Sequence, residues 1–133
     1  MEEAMKKLVL LALFSVLGTL AFAADLLPYD SAAVKDIMHS NQATVGVVSK
    51  GITAGDWKAV ADGFTQFAQN AKKALTYAPP KGDVAEWQKI WNDFLSAANQ
   101  GVAAAGAKDA VAAKKFLDQI TGDRNQGHPK FRG

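Results

Sequence analysis

Cysteine is missing from this chain altogether, with none among 133 residues. Without a thiol there can be no disulfide framework, no thiolate zinc site, no lipid-anchored cysteine and no cysteine nucleophile. A surplus of one charge is missing too, since 15 basic side chains stand against 13 acidic ones. The resulting +2 is too small to imply a nucleic-acid partner. No stretch alternates with period two for long enough to make a strand, so no glycine-rich loop can follow one. Two histidines without cysteine make a poor metal cluster. No Ser-His-Asp arrangement is present, and no carboxylate pair is spaced to aim into one pocket, so the chain does not read as an enzyme. What is present is a hydrophobic content of 49% and a length close to that of one domain, which argues for a single globular unit.

The first stretch reads as an address. Lys6-Lys7 precede an apolar run from Leu8 to about Phe22, and Ala21-Phe22-Ala23 stand directly before Ala24. These are the basic, apolar and small-residue parts of a secretory signal peptide. A membrane anchor needs roughly 18 or more apolar residues. The run from Leu8 is stopped by Asp25 and contains Ser15, Gly18 and Thr19, which favours cleavage over anchoring. Cleavage after Ala23 leaves a domain over 24–133, of about 110 residues, in the periplasm or secreted. Without disulfides it must be held by packing alone, or by a bound cofactor.

Four helical patterns follow. The first starts near Asp30 or Ser31 and carries Val34, Met38, Asn41, Val45, Val48 and Ile52 at helical spacing, with Gly51 and Gly55 ending it. Asp56 is placed to cap a second helix striped by Trp57, Val60, Phe64, Phe67, Ala71 and Leu75, which stops at the prolines after Tyr77. Asp83 and Glu86 make a capping-box-like start for a third, with Val84, Trp87, Ile90, Trp91, Phe94, Ala98 and Val102. Asp109 can cap a fourth, with Ala113, Phe116, Leu117 and Ile120. Gly122 reads as its terminator, and Gly127 and Pro129 disfavour helix beyond, so a loose tail is expected.

Short connections near 51–56, 77–83 and 105–109 predict an all-α, up-down-up-down antiparallel four-helix bundle. Its core is alanine-rich, so Trp57, Phe64, Phe67, Trp87, Trp91, Phe94 and Phe116 must fill most of it, unless a planar ligand fills part.

Gly55-Asp56-Trp57, the Pro-Lys-Gly-Asp turn at 80–83, Ile90-Trp91-Asn92-Asp93-Phe94, the Ala-rich turn before Asp109 and the closing His128-Pro-Lys-Phe131-Arg132 form an ordered set. In that order the chain resembles the class II cytochromes c, the cytochrome c-prime group, over essentially the whole mature domain. In that family the fourth helix carries Cys-x-x-Cys-His, whose thiols bind haem covalently and whose histidine binds the iron. Aligned on the histidine, this chain reads Arg124-Asn125-Gln126-Gly127-His128. Arg124 and Gly127 stand where the cysteines would be, so covalent attachment is lost while His128, Phe131 and Arg132 remain.

The resemblance therefore implies a haem protein for electron transfer or small-ligand binding, with haem held non-covalently, as in the soluble b-type cytochrome of the same architecture. His128 is the implied proximal iron ligand and Met38 the distal one. Trp91, Arg124 and Arg132 complete the implied haem-binding set, the arginines by pairing with propionates. A redox partner protein and a homodimer are the implied partners, with no membrane contact after signal cleavage. An apolar cavity of roughly 300 Å³ or more between the first and fourth helices would accommodate the group.

Each residue also has a plainer reading. His128 can be a tail histidine, Met38 core filling, His39 a surface side chain, and Arg124, Lys130 and Arg132 solvated charge near a helix end. Asn41 lies on an apolar stripe and needs a partner, either a helix-end carbonyl or a polar ligand pocket. The competing function is a haem-free bundle serving as a binding or structural protein.

Overall fold

The computed structural model describes residues 26–131, with side chains described over 26–125. The signal-peptide reading of 1–23 and the cleavage boundary lie outside the described residues. Among the described residues the chain is all-helical, with α1 (Ser31–Ala54), α2 (Trp57–Ala74), α3 (Val84–Gly106) and α4 (Ala110–Phe131) forming a four-helix bundle. Each helix packs on the next and α1 closes on α4, the thinnest of the four seams.

Four aspartates start the four helices, because a short carboxylate outside the first turn can accept from backbone N–H groups that lack an intrahelical partner. The Asp30 carboxylate accepts from the Ala33 amide at 3.1 Å, Asp56 from Ala59 at 3.2 Å, Asp83 from Ala85 at 2.8 Å and Asp109 from Ala112 at 3.0 Å. Gly55 takes the left-handed conformation, φ 68°, and ends α1 by donating its N–H back into the last turn. Gly51, expected to help end that helix, instead lies buried within it against Val60 of α2. The C-terminal expectation also needs correcting. α4 does not stop at Gly122 but continues to Phe131. Leu117 and Ile120 anchor it, and half-buried Asp123 and Arg124 carry its inner stripe one turn further. Tertiary packing thus outweighs local propensity.

The core is concentrated between α2 and α3. Phe64, Phe67, Trp87 and Phe94 are all 2% exposed or less. Their rings form a column: Phe64 meets Phe67 at 6.1 Å, Phe67 meets Phe94 at 5.7 Å, Phe94 meets Trp91 at 5.2 Å and Trp91 meets Trp87 at 5.8 Å. Burying each such ring is worth about 1.5–3 kcal/mol or more. The pairs Lys58–Asp62 and Lys89–Asp93 lie in solvent, which screens them, so the aromatic column decides stability. Trp57 and Phe116, expected inside, are only half-buried at the flanks of this core.

Two glycines set the helix spacing. A Cβ on Gly101 of α3 would collide with the Phe64 ring, and one on Gly63 of α2 with the Val48 side chain of α1. As α1 advances from Asn41 through Val48 to Gly51, its partners on α2 step back from Asn70 through Gly63 to Val60. From α2 to α3 the order likewise reverses, Phe64 meeting Gly101, Phe67 meeting Phe94 and the Tyr77 carbonyl accepting from the Trp87 indole at 3.1 Å. The segment before α1 is tied in at the same end. The Leu27 amide donates to the Thr76 carbonyl, and the Ala78 amide to the Leu27 carbonyl, both at 2.8 Å.

Gly101→Ala is expected to cost about 1–3 kcal/mol by overpacking against Phe64. Gly46→Ala, at an exposed helical position with open space around it, should gain about 0.5–1 kcal/mol. Chemical denaturation of the two variants checks both signs, and a destabilised Gly46→Ala would contradict this account.

Candidate functional site

The residues singled out by sequence fall toward one end of the bundle. The start of α1, the end of α2 and the start of α3 meet there, as shown by the Leu27–Thr76 and Tyr77–Trp87 bonds. The second half of α4 comes to the same end, since Asp123 of α4 lies close enough to Asp93 and Lys89 of α3 to feel their charges.

Met38 is half-buried and packs against the core from the flank of α1 that also carries Val45 and Ile52. His39 is exposed, in line with its surface reading. Trp91 is 5% exposed and fixed between the rings of Trp87 and Phe94, so it forms wall rather than surface. Arg124 is half-buried and continues the Ala113, Leu117, Ile120 stripe of α4. The backbone of α4 carries His128 one turn beyond Arg124, and its side chain lies outside the described set. Arg132 lies outside the described residues.

Asn41 finds its partner on α2 and not in a helix-end carbonyl. Its side chain is 1% exposed, and its carbonyl accepts from the Asn70 amide at 2.8 Å. Asn70 also donates to the Ser40 hydroxyl at 3.0 Å and accepts from Gln66 at 2.9 Å. A line of polar groups therefore runs from exposed Gln66 into the bundle and ends on Asn41. The Asn41 Nδ2 is buried and has no hydrogen-bond partner. Such a donor costs about 1–3 kcal/mol unless something accepts from it. Asn70 was missed from sequence because it sits beside, not on, the aromatic stripe of α2. The signal was available in the short 55–56 turn, since counting outward from it along both helices sets Asn70 opposite Asn41.

Asp123 was missed as well. Its Oδ2 is buried and unpaired, and burial, followed by the nearby Asp93 charge, raises its pKa above the ordinary carboxylate value, with Lys89 opposing. Among the described residues no group of three or more His, Asp or Glu side chains could hold a metal ion. No described helix is long and apolar enough to cross a membrane. A solvent-open groove of about 510 Å³ lies along α3, lined by Asn92, Leu95, Ser96, Asn99, Gln100 and Ala103, away from Met38.

No protein family, curated protein or solved structure matches the chain in comparisons of sequence and fold.

A raised folded-state pKa means that ionised Asp123 opposes folding, so its penalty is present above that pKa and lost as pH falls through it. Asp123→Asn should therefore melt at a higher temperature than the parent at pH 7, with the gap closing as the pH enters the carboxylate range. Thermal unfolding followed by circular dichroism at both pH values checks this, and a gap independent of pH would count against it.

Proposed function

We propose that this chain is an exported, up-down-up-down antiparallel four-helix bundle of the cytochrome c-prime type that holds haem non-covalently at the end carrying Met38, Trp91, Arg124 and His128. The reversed order of contacts from α1 to α2 and from α2 to α3 supports the antiparallel arrangement. The observation that carries the haem reading is the continuation of α4 through Gly122 to Phe131. It sets His128 on a helix in register with Arg124, where a frayed tail would have had to be ordered at an entropic cost before ligating anything.

The residues present fit such a group in their chemistry. Met38 offers a thioether at the edge of the core, Trp91 an apolar wall, Arg124 a half-buried cation for a propionate, and Asn41 an unpaired buried donor. The α1–α4 seam is also the thinnest in the bundle. Haem held there would supply an iron that exchanges an electron or takes a small ligand. The protein's part would be to exclude water with Trp87, Trp91 and Phe94, and to present His128 and Met38 from the neighbouring helices α4 and α1. Periplasmic or secreted location, an acidic redox partner meeting the basic tail, and a homodimer belong to the same proposal.

The second reading, a haem-free binding or structural bundle, is favoured by the aromatic column, which already fills the space between α2 and α3.

Titrating purified protein with haemin at micromolar concentration should produce a Soret band. His128→Ala should weaken binding about tenfold or more, as expected when an iron ligand worth at least ~1.4 kcal/mol is removed. Met38→Ala should shift the band with a smaller loss. A flat titration leaves the haem-free bundle.

A further inference from the structure

α1 bears on the bundle mainly through one seam. Its close packing is against α2, and the seam it shares with α4 is the thinnest of the four. It contributes no ring to the aromatic column between α2 and α3. Three of its six buried positions are Asn41, Thr44 and Gly51, so only Val34, Ile37 and Val48 bring apolar side chains fully inside. Apolar area removed from water decides how firmly a helix is held, and α1 has much less of it than the α2–α3 pair.

The polar contact does not make up the difference. The Asn41 carbonyl accepts from the Asn70 amide at 2.8 Å, but the Asn41 Nδ2 is buried without a partner. Leaving such a donor dry costs more than one neutral hydrogen bond returns. If α1 moved away from α2, water would reach Asn41, while Asn70 would keep its 2.9 Å bond from Gln66, a neighbour on α2 itself. Opening therefore relieves a penalty that the closed bundle carries.

Both ends of α1 are built for such a movement. At one end the two residues Gly55-Asp56 join it to α2, and Gly55 stands at φ 68°. Glycine takes up changes of backbone angle that other residues resist. At the other end the strap leading into α1 is fastened by the Leu27 amide on the Thr76 carbonyl and the Ala78 amide on the Leu27 carbonyl, both at 2.8 Å. The Leu27 side chain is 51% exposed and adds little to that hold. Two backbone bonds beside an exposed side chain are a light fastening.

We propose that α1 is a hinged flap on a body made of α2, α3 and α4. It opens as a unit on the Gly55 bend when the Leu27 strap lets go, and clears a way into the bundle interior along the thin α1–α4 seam. The movement does not depend on haem.

The test is hydrogen exchange under native conditions on the full-length protein without haemin. Amides of α1 should share one opening and exchange about tenfold or more faster than those around Phe94 in α3. Gly101→Ala disturbs the α2–α3 contact, which the open form keeps, so it should speed exchange in α3 and leave the α1 rates unchanged. Asn41→Leu removes the dry donor and should slow α1 exchange about fivefold or more. Leu27→Pro removes the donor of the strap and should speed it. Amides of α1 that follow α3 in Gly101→Ala, exchanging only through complete unfolding, would overturn the flap. Faster α1 exchange in Asn41→Leu would overturn it too, because the Asn41–Asn70 bond would then be a clamp.

Discussion

The Phe64 ring lies against the backbone of α3 where Gly101 has no side chain, and the rest of the bundle is arranged around that contact. With no disulfide to close the chain, the helices are held at their spacing by packing alone. Phe64 fixes how near α3 can come to α2, Phe67 and Phe94 extend the contact, and Trp91 and Trp87 carry it to the end where the candidate site lies. The Trp87 indole then bonds the Tyr77 carbonyl, whose loop is tied to the segment leading into α1. A shift at Gly101 would therefore be felt at the site several turns away, since close-packed interiors transmit strain.

Much of this was legible in the sequence because its signals are local. Aspartates before helical stripes predicted the four helix starts, and all four act as caps. The stripes gave most of the buried positions, because a 3.6-residue period is a property of one helix at a time. The errors share a cause. Gly51 and Gly122 read as terminators on propensity, yet each sits inside a helix, one because α2 needs the space at Val60 and the other in a helix anchored just upstream by Leu117 and Ile120. Glycine is ambiguous to a sequence reading, since close approach and chain reversal ask for the same missing side chain.

At the site, the sequence marked Asn41 as a polar residue in an apolar seam but not its partner. That partner is fixed by the pairing of two helices, which depends on how tightly Gly51 and Gly63 allow them to meet. Asp123 was invisible for a similar reason, because its burial follows from the continuation of α4 that propensity argued against. Among the described residues, the buried side-chain atoms that lack a partner, the Asn41 Nδ2 and the Asp123 Oδ2, lie on the two helices of the proposed site. Neither could be found from composition or period, as each is a consequence of tertiary arrangement.

The last turns of α4 bring these strands of argument together. Gly122 and Gly127 each cost about 1 kcal/mol relative to alanine, and a proline in a helix interior about 3 kcal/mol. Pro129 withholds the bond that would reach the Asn125 carbonyl, and Asn125 is exposed, so water can take that place and part of the proline penalty is relieved. What remains must be offset by contacts outside the segment. Ionised Asp123 works against it, and the Leu117 and Ile120 anchors lie one or more turns upstream. A ligand engaging this end would bind the helical form in preference to the frayed one, and would stabilise it in proportion to its concentration over its dissociation constant. If haem is held there as proposed, arginine and glycine at 124 and 127 leave it no covalent link, so occupancy of the site and order of the last turns would rise and fall together.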